Sequence, residues 1–105
     1  MLTIIKTPLF ASLCQDYWTE DERGVFAAWL AHNPLAGKVV PHSGGVRKVR
    51  WSREGTGKRG GVRVIYFNRL AEGEIWLLLI YAKSEYDDIP AHTLKKIKEA
   101  LENDD

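Results

Sequence analysis

From Arg47 to Arg63 the chain reads RKVRWSREGTGKRGGVR, which holds seven lysines and arginines, a single acid at Glu54, and four glycines. This window carries +6, whereas the whole 105-residue chain carries +1, leaving −5 on everything else. A local excess of this size in a nearly neutral chain is the electrostatic footprint of a surface that meets phosphates, and of nucleic-acid binding in particular. Any one of these cations alone would be read as a solvated surface charge. Their clustering is the argument for a site.

The spacing of the cations says which of them can act together. Side chains two apart on a strand share a face, so Lys48 and Arg50 point the same way while Val49 and Trp51 turn to the core, and Arg63 alternates with Val62 and Val64 on the next strand. The pattern predicts Lys48, Arg50 and Arg63 on one surface. Lys58 and Arg59 would reach over it from the glycine loop, and Lys83, after the last strand, would close the group. Gly55-Thr-Gly-Lys58 invites comparison with the nucleotide P-loop, but Ser52 stands where its first glycine belongs, Arg59 replaces the required serine or threonine, and a strand rather than a helix follows. The glycines are better read as a turn that lets a polyanion approach the backbone.

Other chemistry-bearing residues are sparse. His32, His42 and His92 have no metal-ligand spacing. His32 falls at a helix end beside Asn33-Pro34, His92 on the last helix, and His42 in the loop Pro41-His-Ser-Gly-Gly45, which leads into the basic strand and places it best of the three to approach a ligand. Cys14, the only cysteine, has no internal disulfide partner and reads as a small buried apolar residue. No metal and no cofactor is expected.

These residues need a scaffold. At 105 residues and 45% hydrophobic, a single domain spanning 1–105 is expected. There is no apolar run long enough to cross a bilayer and no signal-peptide pattern, so a soluble, cytoplasmic protein without a membrane partner is expected. Leu2–Thr7 is short, β-branched and bounded by Pro8, the mark of an opening strand. Phe10, Leu13, Cys14 and Tyr17 recur at helical spacing. Thr19 with Glu22 has the capping-box form and starts a second helix burying Val25, Phe26, Trp29 and Leu30, which must end before Asn33-Pro34. Three strands follow, over 46–51, 62–68 and 75–82, with links too short for anything but antiparallel hairpins. Trp76–Ile80 is continuously apolar, as suits a central strand. Asp88 and Pro90 open a last helix with Leu94, Ile97 and Leu101 as its buried stripe. The fold class is α+β in the order β-α-α-β-β-β-α, an antiparallel meander packed against helices.

That order, the segment GGVRKVRWSREGTGKRGGVRVIYF and the later LLLIYAKSEYDDI together resemble the RelE superfamily of toxins, in its HigB-like branch. The likeness extends over nearly the whole chain, and GGVRKVR, GTGKRGG, VRVIYF and IYAKSE are specific as an ordered set. The resemblance implies the RelE-like microbial RNase fold and a ribosome-dependent, metal-independent mRNA endonuclease that inhibits translation. It also implies a type II toxin–antitoxin pair, with a cognate antitoxin, the ribosome and mRNA as partners and a toxin–antitoxin hetero-oligomer among the assemblies.

Carried over residue by residue, the family's paired strand cations match Lys48 and Arg50, its next-strand arginine matches Arg63, and its lysine after the last strand matches Lys83. Ser84 stands where the family has a further arginine, and only Tyr86 lies near the position of the tyrosine of RelE proper. The implied reaction is attack of a 2′-hydroxyl on the adjacent phosphate. Arg63, then Arg50, would neutralise the phosphorane, since a guanidinium fork matches phosphate oxygens. Lys48 would be the base, with Lys58 in reserve, because a lysine among cations gives up its proton more readily. Tyr86, Lys83 or His92 would protonate the leaving oxygen. Arg47, Arg53, Lys58 and Arg59 would contact RNA, and Trp51 or Tyr66 would either stack on a base or pack in the core. The competing readings of the same cations are a non-catalytic RNA-binding module and a DNA-binding or structural partner protein.

Overall fold

A computed structural model of the chain describes residues 2–52, 61–82 and 89–102. Strand β1 (Thr3–Lys6) leads into helix α1 (Pro8–Cys14) and helix α2 (Glu20–His32), followed by the two-residue strand β2 (Lys38–Val39), strands β3 (Arg47–Trp51), β4 (Val62–Arg69) and β5 (Glu74–Ala82), and helix α3 (Ala91–Glu102). The expected elements are all present, and the class is α+β. The strands form one five-stranded sheet in the order β1-β5-β4-β3-β2. β3, β4 and β5 make the expected antiparallel meander. Two features extend it. β1 lies parallel to β5, so the sheet is mixed, and β2 adds an antiparallel edge on β3.

Local chemistry sets the helix starts. Thr7 caps α1, its hydroxyl accepting from the Phe10 N–H at 3.4 Å while donating to the Leu77 carbonyl at 2.8 Å, which ties the helix to β5. At α2 the capping box is complete: Thr19 N–H donates to Glu22 Oε1 at 2.9 Å and Glu22 N–H to Thr19 Oγ1 at 3.2 Å. The α2 stripe is narrower than the spacing predicts. Phe26 and Leu30, four apart, are fully buried, whereas Val25 is 47% exposed, because it sits about 100° around the helix from Phe26. Asp88, read as a cap for α3, lies outside the described residues. Leu94 is buried and Ile97 and Leu101 pack beside it, as expected.

The sheet separates two cores. On one face Phe10 and Cys14 of α1 and Phe26 and Leu30 of α2 pack on Val49, Val62, Val64, Tyr66, Leu77 and Ile80. On the other, Leu94 of α3 packs with Val46, Ile65, Leu78, Leu79 and Tyr81. Leu78 and Leu79 are consecutive yet belong to the same core, which a strand of period two does not allow. The register explains it: Ile65 pairs with Leu79 but Tyr66 pairs with Leu77, leaving Leu78 as an extra residue in a β-bulge. Everything in β5 beyond the bulge is thereby turned to the opposite face.

Candidate functional site

The cations of β3 and β4 come together on the face covered by α3. Arg50 is the direct partner of Arg63 in the β3–β4 register, and Arg63 in turn is the direct partner of Tyr81 on β5. Directly opposed residues in an antiparallel pair share a face with Cα atoms about 4.5–5.5 Å apart, so Arg50, Arg63 and Tyr81 form a row across three strands. Lys48, two residues back on β3 and opposite Ile65, points to the same side. Arg50 is exposed, Lys48 half-buried, and Arg63 only 8% exposed. A guanidinium withdrawn this far from water exerts a stronger pull on an anion than a solvated one does.

Beside the row lies a groove of about 360 Å³ between the sheet and the start of α3, with Val40, Pro41, Lys48, Ile65, Tyr81 and Ile89 in its walls. Its walls are mostly apolar, with Lys48 and Tyr81 as the lining residues that carry a polar group on the side chain. Tyr81 was not singled out by its sequence position. Counted by period two from the apolar run it would face α1, and the bulge at Leu78 is what carries it to the cationic side.

Arg47 and Trp51, expected among the RNA contacts, are on the other face, because they are odd-numbered in a strand whose even residues face α3. The Arg47 guanidinium donates to the Gly37 carbonyl at 2.6 Å and to the Leu35 carbonyl at 3.5 Å. The Trp51 ring lies 4.9 Å from that of Trp29 and 5.2 Å from that of Phe26. Both hold the α2 side together. Tyr66 does the same: its hydroxyl donates to the Pro34 carbonyl at 2.9 Å and accepts from the Gly37 N–H at 2.8 Å. Burial raises its pKa above the ordinary tyrosine value, more than the Gly37 hydrogen bond and the Arg47 charge lower it.

The remaining candidates divide simply. Arg53, Lys58, Arg59, Lys83 and Tyr86 lie outside the described residues. The His32 ring is tied by Nδ1 to the Ala28 carbonyl at 2.8 Å, a helix-end role. His42 is exposed on the loop beside the groove, in a left-handed conformation at φ 66°, and His92 is exposed in the first turn of α3. Cys14 is fully buried. Among the described residues no group of three or more His, Cys, Asp or Glu side chains is placed to hold a metal ion, and no helix is long and apolar enough to cross a membrane.

With this geometry in view, comparison with known families is decisive for the class of protein. The family model described as the RelE toxin of the RelE/RelB toxin–antitoxin system matches residues 4–103. The chain belongs to the RelE toxin family. It is therefore a toxin of a toxin–antitoxin system, and a cognate antitoxin is its implied partner. RelE family toxins are endoribonucleases that cleave mRNA, and a cationic row flanked by a groove is a surface suited to a phosphodiester. The α+β architecture with its five-stranded mixed sheet is that of the RelE-like microbial RNase fold.

Proposed function

We propose that this RelE-family toxin is a ribosome-dependent, metal-independent mRNA endonuclease of the HigB-like branch, with its centre at Lys48, Arg50 and Arg63. The observation that carries the reading is the direct opposition of Arg50 and Arg63 on the face that also bears Lys48. Two guanidiniums directly across a strand pair offer converging planar forks of N–H donors, the geometry that matches the oxygens of a single phosphodiester.

In the proposed reaction the 2′-hydroxyl oxygen bonds to the adjacent phosphorus and the bond from phosphorus to the 5′-oxygen breaks, leaving a cyclic phosphate and a free 5′-hydroxyl. Lys48 is the base that takes the 2′ proton. Arg63 and Arg50 hold the phosphorane oxygens as their charge grows, a preorganised electrostatic contribution. The proton for the leaving oxygen comes from Tyr86, Lys83 or His92. Lys58, with Arg53 and Arg59 of the glycine loop, adds phosphate contacts. Ribosome dependence follows from the economy of the site: a small cationic surface gains most from a partner that already holds the mRNA in position.

Mapping mRNA 5′ ends after brief induction, with and without translation blocked, tests the reading. Cuts that appear only during translation, and that Arg63→Ala reduces by on the order of 10²–10³, support it. A wild type that arrests no growth and makes no cuts overturns it. A variant that loses affinity without losing turnover shows a passive RNA binder instead.

A further inference from the structure

We propose that Lys38, on edge strand β2, is a substrate-binding residue of this site that grips the phosphate next to the one being cleaved; the inference rests on the nuclease reading above. β2 pairs with β3 so that Lys38 lies directly opposite Lys48. Since Lys48 faces α3 with Arg50 and Arg63, Lys38 faces that way too. The cations thus form two rungs: Lys38 with Lys48, and Arg50 with Arg63, displaced along β3 by two residues, roughly 6.6 Å. Lys38 thereby carries the cationic surface of Lys48, Arg50 and Arg63 out to the sheet edge. Two such rungs side by side on one face describe a track for consecutive phosphates of a single strand.

The position of Lys38 is built rather than incidental. β2 is only two residues long, and both are exposed, so packing of its own side chains does not hold it. The residue before it does. Gly37 is gripped by the Tyr66 hydroxyl on its N–H and by the Arg47 guanidinium on its carbonyl, at 2.8 and 2.6 Å. A Cβ on Gly37 would come within 2.9 Å of the Lys48 carbonyl oxygen and of the Tyr66 ring, so only glycine lets β2 come this close to β3. Arg47 and Tyr66, on the far face of the sheet, act as positioning residues for a lysine on the near face.

The test uses the full-length toxin and an RNA oligonucleotide made uncleavable by a 2′-deoxy sugar at the cut site, with binding measured from 50 to 200 mM salt. Lys38→Gln is expected to weaken binding about tenfold at the low-salt end and to make the log–log salt slope shallower by about 0.7, the loss of one phosphate contact on a single strand. Lys38→Arg is expected to keep the wild-type slope, as is Lys6→Gln on the opposite sheet edge. A second arm replaces one linkage on either side of the cut by a neutral methylphosphonate: one of the two is expected to penalise the wild type and leave Lys38→Gln unaffected. On ribosome-bound mRNA the same variant is expected to raise KM with kcat nearly unchanged. A wild type that binds and cleaves, with Lys38→Gln matching it in slope and in its response to both methylphosphonates, overturns this inference alone. A wild type that neither binds nor cleaves RNA overturns it together with the nuclease reading.

Discussion

Arg63 retains 8% of its exposure while its partner Arg50 is open to solvent, and in the proposed reaction the difference gives them different roles. The buried guanidinium would be in place before substrate arrives, and the exposed one would follow it. Arg63→Lys keeps the charge but loses the two-pronged geometry that matches a phosphate, so it is expected to recover only part of what Arg63→Ala loses in single-turnover cleavage. Arg50→Gln removes one of two opposed like charges. It is expected to hold or raise stability, by up to roughly 1 kcal/mol, while lowering the cleavage rate, a pairing that thermal unfolding and kinetics on the same preparation will show. Tyr66 is the opposite case, a polar group committed to the fold. Tyr66→Phe strips the buried Gly37 N–H of its acceptor and is expected to cost about 1–3 kcal/mol. Its pH dependence has a definite sign. Burial first of all raises the folded-state pKa above the ordinary value, so the hydroxyl stays neutral in the fold when the unfolded chain has begun to ionise. The contribution is complete below about pH 10 and is lost as pH rises from there through the folded-state value. Urea unfolding at pH 8 and pH 11 is expected to show the gap between wild type and Tyr66→Phe narrowing at the higher pH.

At the scale of elements, what was legible in the sequence is what local chemistry dictates. The capping box at Thr19 and Glu22, the stop at Asn33-Pro34 and the alternation of Lys48, Val49, Arg50 and Trp51 each place an element or a face without reference to the rest of the chain. Thr19→Ala is expected to lower stability by about 0.5–2 kcal/mol without touching cleavage, since α2 is on the far side of the sheet from the cations. The features that were not legible are non-local. Nothing in Thr3–Lys6 says that β1 will pair in parallel with β5. Lys38-Val39 is too short to announce itself as a strand, so nothing in the sequence marks Lys38 as a partner of Lys48. The bulge at Leu78 falls in the run Trp76–Ile80, where every residue is apolar and no change of phase can be read, so Tyr81 could not be assigned to the cationic face. Its neighbours in sequence place Arg47 among the RNA contacts, whereas its strand parity, which applies to it as it does to Val49, turns it to the other face.

For the whole molecule, the sheet separates the aromatic core under α1 and α2 from the α3 face, which has its own smaller core and bears the cations of the proposed site. Phe26, Trp29 and Trp51 cluster on the α2 side in tilted and edge-on contacts with ring centroids 4.9–6.1 Å apart, and Phe26 has no exposed surface. Removing it leaves a void that a close-packed core fills only in part, so Phe26→Ala is expected to cost about 3–5 kcal/mol. For a domain of this size each kcal/mol moves Tm by roughly 4–8 °C, a loss large enough to leave little folded protein at growth temperature. Lys48→Gln changes a side chain on the opposite face from the aromatic cluster and leaves in place the backbone carbonyl that lies beside Gly37. It is expected to leave Tm within a few degrees of wild type while abolishing most of the cleavage. The two variants therefore separate in opposite directions when activity is normalised to folded protein: Phe26→Ala keeps its activity per folded molecule at low temperature, and Lys48→Gln loses it at every temperature. Circular dichroism melts beside cleavage rates at 15 °C and 37 °C decide the matter. A Phe26→Ala protein that is folded at 15 °C yet inactive would mean that the two faces are coupled through the sheet, and that the cationic row depends on the aromatic core for more than its support.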